Sequence, residues 1–174
     1  FGKKAEDFKL KSIKNKLITL NDIKGEKATL VMFICNHCPY VKAIIKDLVN
    51  DTNNLMKFGI KSVAIMSNDT KNYPEDSFEN MKLFAEENSL NFPYLIDETQ
   101  EVAKKYGAVC TPDFFGYNGK NELQYRGRIR ELKELRPVRS GNSELFDAMK
   151  MISETQKGPK VQIPSMGCNI KWIE

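Results

Sequence analysis

The apolar run over residues 29–34, Thr-Leu-Val-Met-Phe-Ile, constrains this chain more than any other segment, because it is hydrophobic on both faces and rich in strand-forming side chains. Such a run reads as a central strand buried from both sides. Cys35-Asn36-His37-Cys38-Pro39 follows at once. Val41, Ile44, Ile45, Leu48, Leu55 and Met56 then mark one face of a long amphipathic helix ending near Gly59. Strand, short turn and helix in direct succession put two cysteines and a histidine at the helix mouth.

The remaining pattern extends this unit into an α/β fold, a central mixed sheet with helices on both faces. Residues 61–66 and 93–96 read as further strands, separated by a polar loop and a helix carrying Phe78, Met81, Phe84 and Ala85. Residues 98–106 read as a short helix closed by Gly107, 113–117 as a strand, and Asn118-Gly119 as the turn into a strand over 122–125. Leu145, Phe146, Met149 and Ile152 give a last helix at helical spacing. Ahead of the central strand, residues 8–13 and 17–20 form an N-terminal hairpin extension. Residues 157–174 are punctuated by Gly and Pro and read as an irregular tail. A length of 174 residues fits a single domain over 1–174 with a core large enough to need no disulfide staples.

Charge and hydropathy exclude several classes. The net charge is +4, and Lys3, Lys4, Lys9, Lys11, Lys14 and Lys16 make a basic N-terminal stretch. No aromatic residues interleave it in a nucleic-acid-binding pattern, so a solvated face is expected and no nucleic-acid partner. No apolar run approaches the roughly 20 residues a membrane helix needs. The cytoplasm is the expected compartment, although a sequence opening at Phe1 says nothing of what precedes it. Nothing in the pattern speaks to oligomeric state.

The chemistry is expected at the cysteines. Proline favours the first helical position, so Pro39 makes Cys38 the N-cap, where the helix dipole and free N–H groups stabilise a thiolate. Cys35 falls at the strand end, spaced to act as a resolving thiol on whatever adduct Cys38 forms. His37 is the only histidine. An imidazolium near Cys38 would favour the thiolate further, whereas an exposed turn residue would not. Cys35, His37 and Cys38 are also three soft or borderline donors, so a copper- or zinc-handling protein is the alternative, and a redox sensor without turnover is another. A structural zinc site normally needs a second close pair, and Cys110 and Cys168 are far apart in sequence, so no metal is assigned. Thr111-Pro112 precedes a strand at a position suited to a cis proline.

These residues resemble the thioredoxin superfamily, in its redoxin branch of alkyl-hydroperoxide reductases and thiol-disulfide oxidoreductases. The resemblance rests on Ala5-Glu-Asp-Phe8, the Cys-Pro helix start, Tyr106-Gly-Ala-Val before Thr111-Pro112, and residues 114–127. Cys110-Thr111-Pro112-Asp113 and the ending Gly167-Cys168-Asn169-Ile170-Lys171-Trp172 are similar to a peroxiredoxin-like subgroup. It implies a thioredoxin-like fold and a cofactor-free enzyme acting on a peroxide or a disulfide with a thiol donor such as thioredoxin or glutathione. It also implies a cis-proline loop, Thr111-Pro112, that faces the nucleophile and positions substrate.

In thioredoxin's register Cys38 takes the nucleophile's place and Val41 that of the second cysteine, which leaves Cys35 as an upstream partner. The peroxiredoxin pattern Pro-x-x-x-Thr-x-x-Cys likewise aligns Cys38 with the peroxidatic cysteine, with Val31 and Cys35 where proline and threonine would stand. The expected catalytic set is Cys38, Cys35, Cys110 and Cys168, with Cys35 the expected resolving thiol and either of the last two the other candidates to resolve an oxidised Cys38. Thr111, Pro112, His37 and Arg128 are the expected substrate-binding residues, with Arg126, Arg128 or Arg130 supplying positive charge where their loop folds back.

Overall fold

Alternation along the central strand builds the two sides of the core. In the computed structural model, which describes residues 1–174, the chain opens with β1 (Lys9–Ser12), β2 (Leu17–Thr19) and the short α1 (Leu20–Ile23). Strand β3 (Ala28–Phe33) and helix α2 (Pro39–Leu55) follow, then β4 (Ile60–Met66), α3 (Phe78–Glu87), β5 (Tyr94–Ile96) and α4 (Glu101–Tyr106). The second half holds β6 (Cys110–Thr111), β7 (Asp113–Asn118), β8 (Leu123–Tyr125), the small hairpin β9 (Leu132–Lys133) and β10 (Arg136–Pro137), α5 (Glu144–Thr155) and β11 (Cys168–Asn169).

The main sheet has the order β2-β1-β5-β4-β3-β7-β8, with β3 parallel to β4 and antiparallel to β7. Every residue of β3 is buried. Leu30 and Met32 join Val41, Ile44, Ile45 and Leu48 of α2, Met81 of α3 and Met149 of α5 in one cluster. Val31 and Phe33, one residue out of phase, join Leu20 and Ile23 of α1 with Val102, Ala103 and Tyr106 of α4 in the other. Each fully buried aliphatic side chain of this kind stabilises the fold by about 1.5–3 kcal/mol.

Helix α2 starts where its sequence demands. Cys38 is extended (φ −66°, ψ 125°) and Pro39 supplies the first helical residue. The helix runs to Leu55 and passes through one tighter turn to Gly59, as its apolar period predicts. Gly107 ends α4 in the left-handed region (φ 77°), where its N–H satisfies the free carbonyl of Ala103.

The hairpin turn falls at Asn118-Gly119 as expected: three residues connect the paired Asn118 and Glu122, and Asn121 carries a positive φ of 60°. The Asn118 side chain decides this, because its Oδ1 accepts from the N–H groups of Lys120 and Glu122 and so builds the turn itself.

The segment 157–174 is tied down along much of its length. Arg128 N–H donates to Ile163 O, Ser165 Oγ donates to Pro112 O, and β11 pairs antiparallel with β6. Ile170 is buried in the second core cluster, and Lys171 and Ile173 bond to Asn68 and Gln100. No helix is long and apolar enough to cross a membrane.

Candidate active site

Three backbone features converge on one sulfur. The end of β3 delivers Cys35, the start of α2 delivers Cys38, and the Thr111-Pro112 bond, which is cis, brings Thr111 over both. Cys35 Sγ lies 3.4 Å from Thr111 Oγ1, and Cys38 Sγ lies 3.3 Å from Thr111 O. The β11–β6 pairing then sets Cys168 opposite Thr111, with its Sγ 2.7 Å from that of Cys38. A disulfide bond is about 2.05 Å long, so the two thiols are in contact and unbonded. Cys35 and Cys38 are both buried.

The three sulfurs titrate differently. The hydrogen bond from Cys35 is the main cause that lowers the Cys38 thiol to about 4, burial opposes it, and Cys168 and the Val41 N–H add further donors at the helix start. As a thiol Cys38 would donate to Thr111 O, one contact against several that favour the thiolate. Cys35 is pushed far up, first because its proton serves Cys38, then by burial and by the nearby Asp76 charge. Burial, followed by the hydrogen bond to Cys38, raises Cys168 to about 11. The arrangement is one poised thiolate with a protonated thiol on each side.

His37 does not turn to the sulfurs through a hydrogen bond. Its Nδ1 lies 2.7 Å from Asp76 Oδ2, and its ring stacks on Tyr73 with centroids 6.3 Å apart. Asp76 is fully buried and accepts from Asn36 N–H and Asn68 Nδ2. Cys35, His37 and Asp76 therefore form the set of donors that could meet at one ion, their ligand atoms within 4.8 Å of one another, and Asp76 stands where the sequence suggested Cys38. Both Asp76 oxygens already accept hydrogen bonds from the protein.

Cys110 faces away from this group. Its Sγ meets the carbonyls of Pro112 and Ser165, and burial raises it to about 12. The arginines are committed elsewhere: Arg128 Nε bonds both Glu144 oxygens at 2.9 and 3.0 Å, Arg126 pairs with Asp113, and Arg130 with Asp47. Arg128 does border a small cleft with Pro112, Ile44 and Ser165. The charge that stabilises the thiolate comes from thiol and amide donors, not from guanidinium.

Asp76, Asn68 and Ser165 support the site without having stood out in the sequence. Asp76 lies in a polar loop among many acidic residues, and only its total burial distinguishes it. Ser165 lies in the tail, whose lack of period hides its bond to Pro112 O.

The AhpC/TSA family matches residues 1–131. The chain belongs to the AhpC/TSA family. Among solved structures, this AhpC/TSA protein is similar to a conserved uncharacterised protein from Geobacillus kaustophilus, with 44% identity, TM-score 0.94, and 99% of this chain and 92% of that one covered. It is also similar to a hypothetical protein from Sinorhizobium meliloti 1021, with 37% identity, TM-score 0.91, and 99% and 94% covered. A thiol:disulfide interchange protein of the thioredoxin family from Chlorobium tepidum shares the fold at 18% identity, with TM-score 0.65 over 88% and 97% of the two chains. No curated protein matches the sequence. Membership and fold together make the protein a thioredoxin-fold, thiol-dependent oxidoreductase of the redoxin branch.

Proposed function

We propose that Cys38 is the attacking thiolate of this oxidoreductase and that Cys168, with Cys35 in a supporting role, resolves the adduct it forms. The observation that carries this reading is the 2.7 Å approach of Cys168 Sγ to Cys38 Sγ at the start of α2. The thiolate attacks the O–O bond of a peroxide or the S–S bond of a disulfide and expels an alkoxide, hydroxide or thiolate, which takes up a proton. Cys38 is left as a sulfenic acid or a mixed disulfide. The Cys168 thiol displaces water or a second thiol from it, forming a Cys38–Cys168 disulfide. An external thiol donor of the thioredoxin or glutathione class returns both to the reduced state. Cys35 acts before the chemistry, as the hydrogen-bond donor that keeps Cys38 ionised.

Mass-spectrometric mapping after mild peroxide treatment tests this reading. A Cys38–Cys168 linkage as the first product is expected, and a Cys35–Cys38 linkage formed first would remove Cys168 from the resolving role. Cys38→Ser should lose both hydroperoxide consumption and disulfide reduction. Retention of both activities would end the assignment of Cys38.

A further inference from the structure

An extended peptide can add itself to an exposed strand edge, where main-chain hydrogen bonds align it and alternate side chains are presented to the site below. The short strand β6, beside Cys38, offers such an edge. In this chain the edge is filled from within. Cys168 lies opposite Thr111 and Asn169 opposite Cys110, and the Ile170 N–H donates to Val109 O at 3.1 Å. Strand pairing is thus what presents the Cys168 side chain to Cys38.

The docking is built on both sides of the contact. Before it, Ser165 Oγ donates to Pro112 O at 2.6 Å, and Gly167 passes so close that a Cβ there would stand 2.1 Å from Thr111 O. After it, Lys171 N–H donates to Asn68 Oδ1 at 2.9 Å, and Asp69 N–H donates to Lys171 O at 2.8 Å. Cys38 beneath is buried.

We propose that the tail strand β11 occupies the peptide-pairing edge of this site, so that Cys38 acts on small electrophiles, a hydroperoxide or a low-molecular-weight disulfide, and excludes disulfides carried on extended peptides. The inference rests on the reading of Cys38 as nucleophile. A small hydroperoxide ROOH needs no strand edge: Cys38 thiolate takes the distal oxygen, ROH leaves with one proton, and Cys168 then condenses with the sulfenic acid to release water. With a small disulfide RSSR, Cys38 displaces one RSH and Cys168 the other. A peptide disulfide needs the N–H and C=O groups of β6 that Cys168 and Asn169 already hold.

The test measures the rate of the first oxidation of fully reduced protein by hydrogen peroxide, followed as peroxide consumed, and by hydroxyethyl disulfide and a disulfide-linked extended peptide, followed as the first thiol released. Wild-type protein should react with at least one of the small substrates 100-fold or more faster than with the peptide, and the two small arms show which it takes. A peptide rate equal to the better small-substrate rate would overturn the inference. Gly167→Val, whose side chain collides with Thr111 O, should raise the peptide rate at least tenfold. A folded Gly167→Val protein with an unchanged peptide rate would overturn it too. Should that variant fail to fold, Ser165→Ala, which loosens the same contact, is expected to give a smaller gain of the same sign, and no gain counts against the proposal. Cys38→Ser separates the two claims. If it keeps the small-substrate reaction, the nucleophile reading fails; if it loses that reaction while wild type prefers the peptide, only the tail inference fails.

Discussion

Cys168 Sγ touches Cys38 Sγ across 130 residues of chain, and it does so because two residues of the tail pair as a strand with two residues of the cis-proline loop. Resolution by Cys168, as proposed, would therefore depend on a tail that carries no hydrophobic period of its own. Cys168→Ser should preserve the Cys38 attack and remove the partner. After one equivalent of peroxide, its Cys38 sulfenic acid should persist long enough for dimedone to trap it, with turnover reduced at least tenfold. Rapid loss of the sulfenic acid into a Cys35–Cys38 bond would assign resolution to Cys35.

Cys38 and Cys35 bend the pH dependence in opposite directions. Cys38 has a folded-state pKa near 4 against an ordinary 9.0, so between those values the unfolded chain binds more protons and stability rises with pH, by at most about 1.4 kcal/mol per unit. Cys35 keeps its proton in the fold beyond pH 9, where the unfolded chain releases it, so its contribution is lost as pH rises past 9. Urea denaturation of reduced protein should show a positive slope from pH 5 to 8 that flattens in Cys38→Ala. Iodoacetamide should label wild-type Cys38 at an almost constant rate over the same range. In Cys35→Ala, which removes the main cause of the lowered pKa, the rate should climb with pH towards 8.

Most of the architecture was readable from hydrophobic period. Residues 29–34 have the length and two-sided apolarity of a buried parallel strand, and β3 covers Ala28–Phe33 with every residue buried. Pro39 marked the helix start to the residue. The turn at Asn118-Gly119 was legible too, but its length is set by side-chain hydrogen bonds of Asn118 that a dipeptide rule does not contain. At the site, local spacing put Cys35 and Cys38 together, and Gly167 and Trp172 around Cys168 favoured it only slightly over Cys110. The register supplies the geometry behind that difference: opposite Thr111 the Cys168 side chain reaches Cys38, while Cys110 is directed at the carbonyls of Pro112 and Ser165.

Asp76 organises the loop beneath the motif. Its buried carboxylate accepts from Asn36 N–H at 2.8 Å and Asn68 Nδ2 at 2.9 Å and contacts His37. Asp76→Ala strands those buried donors, a loss of about 2–4 kcal/mol. The urea midpoint should fall accordingly. Because Asn68 also anchors Lys171 N–H, amide exchange in residues 168–171 should accelerate as well. A lowered midpoint with unchanged exchange in the tail would disconnect Asp76 from the docking of Cys168.

Thr111 separates the two flanking thiols experimentally. Its hydroxyl bonds Cys35 Sγ at 3.4 Å and lowers that thiol's pKa, while its carbonyl and backbone register serve Cys38 and Cys168. Thr111→Val keeps the backbone and nearly the same volume but removes the hydroxyl, leaving Cys35 harder to ionise. If Cys168 resolves, peroxide-driven formation of the Cys38–Cys168 bond in Thr111→Val should stay within about twofold of wild type. If Cys35 resolves, the same variant should slow disulfide formation by an order of magnitude or more, because only the thiolate is the attacking species. Stopped-flow tryptophan fluorescence can follow the step, since Trp172, the only tryptophan, lies in the tail four residues after Cys168.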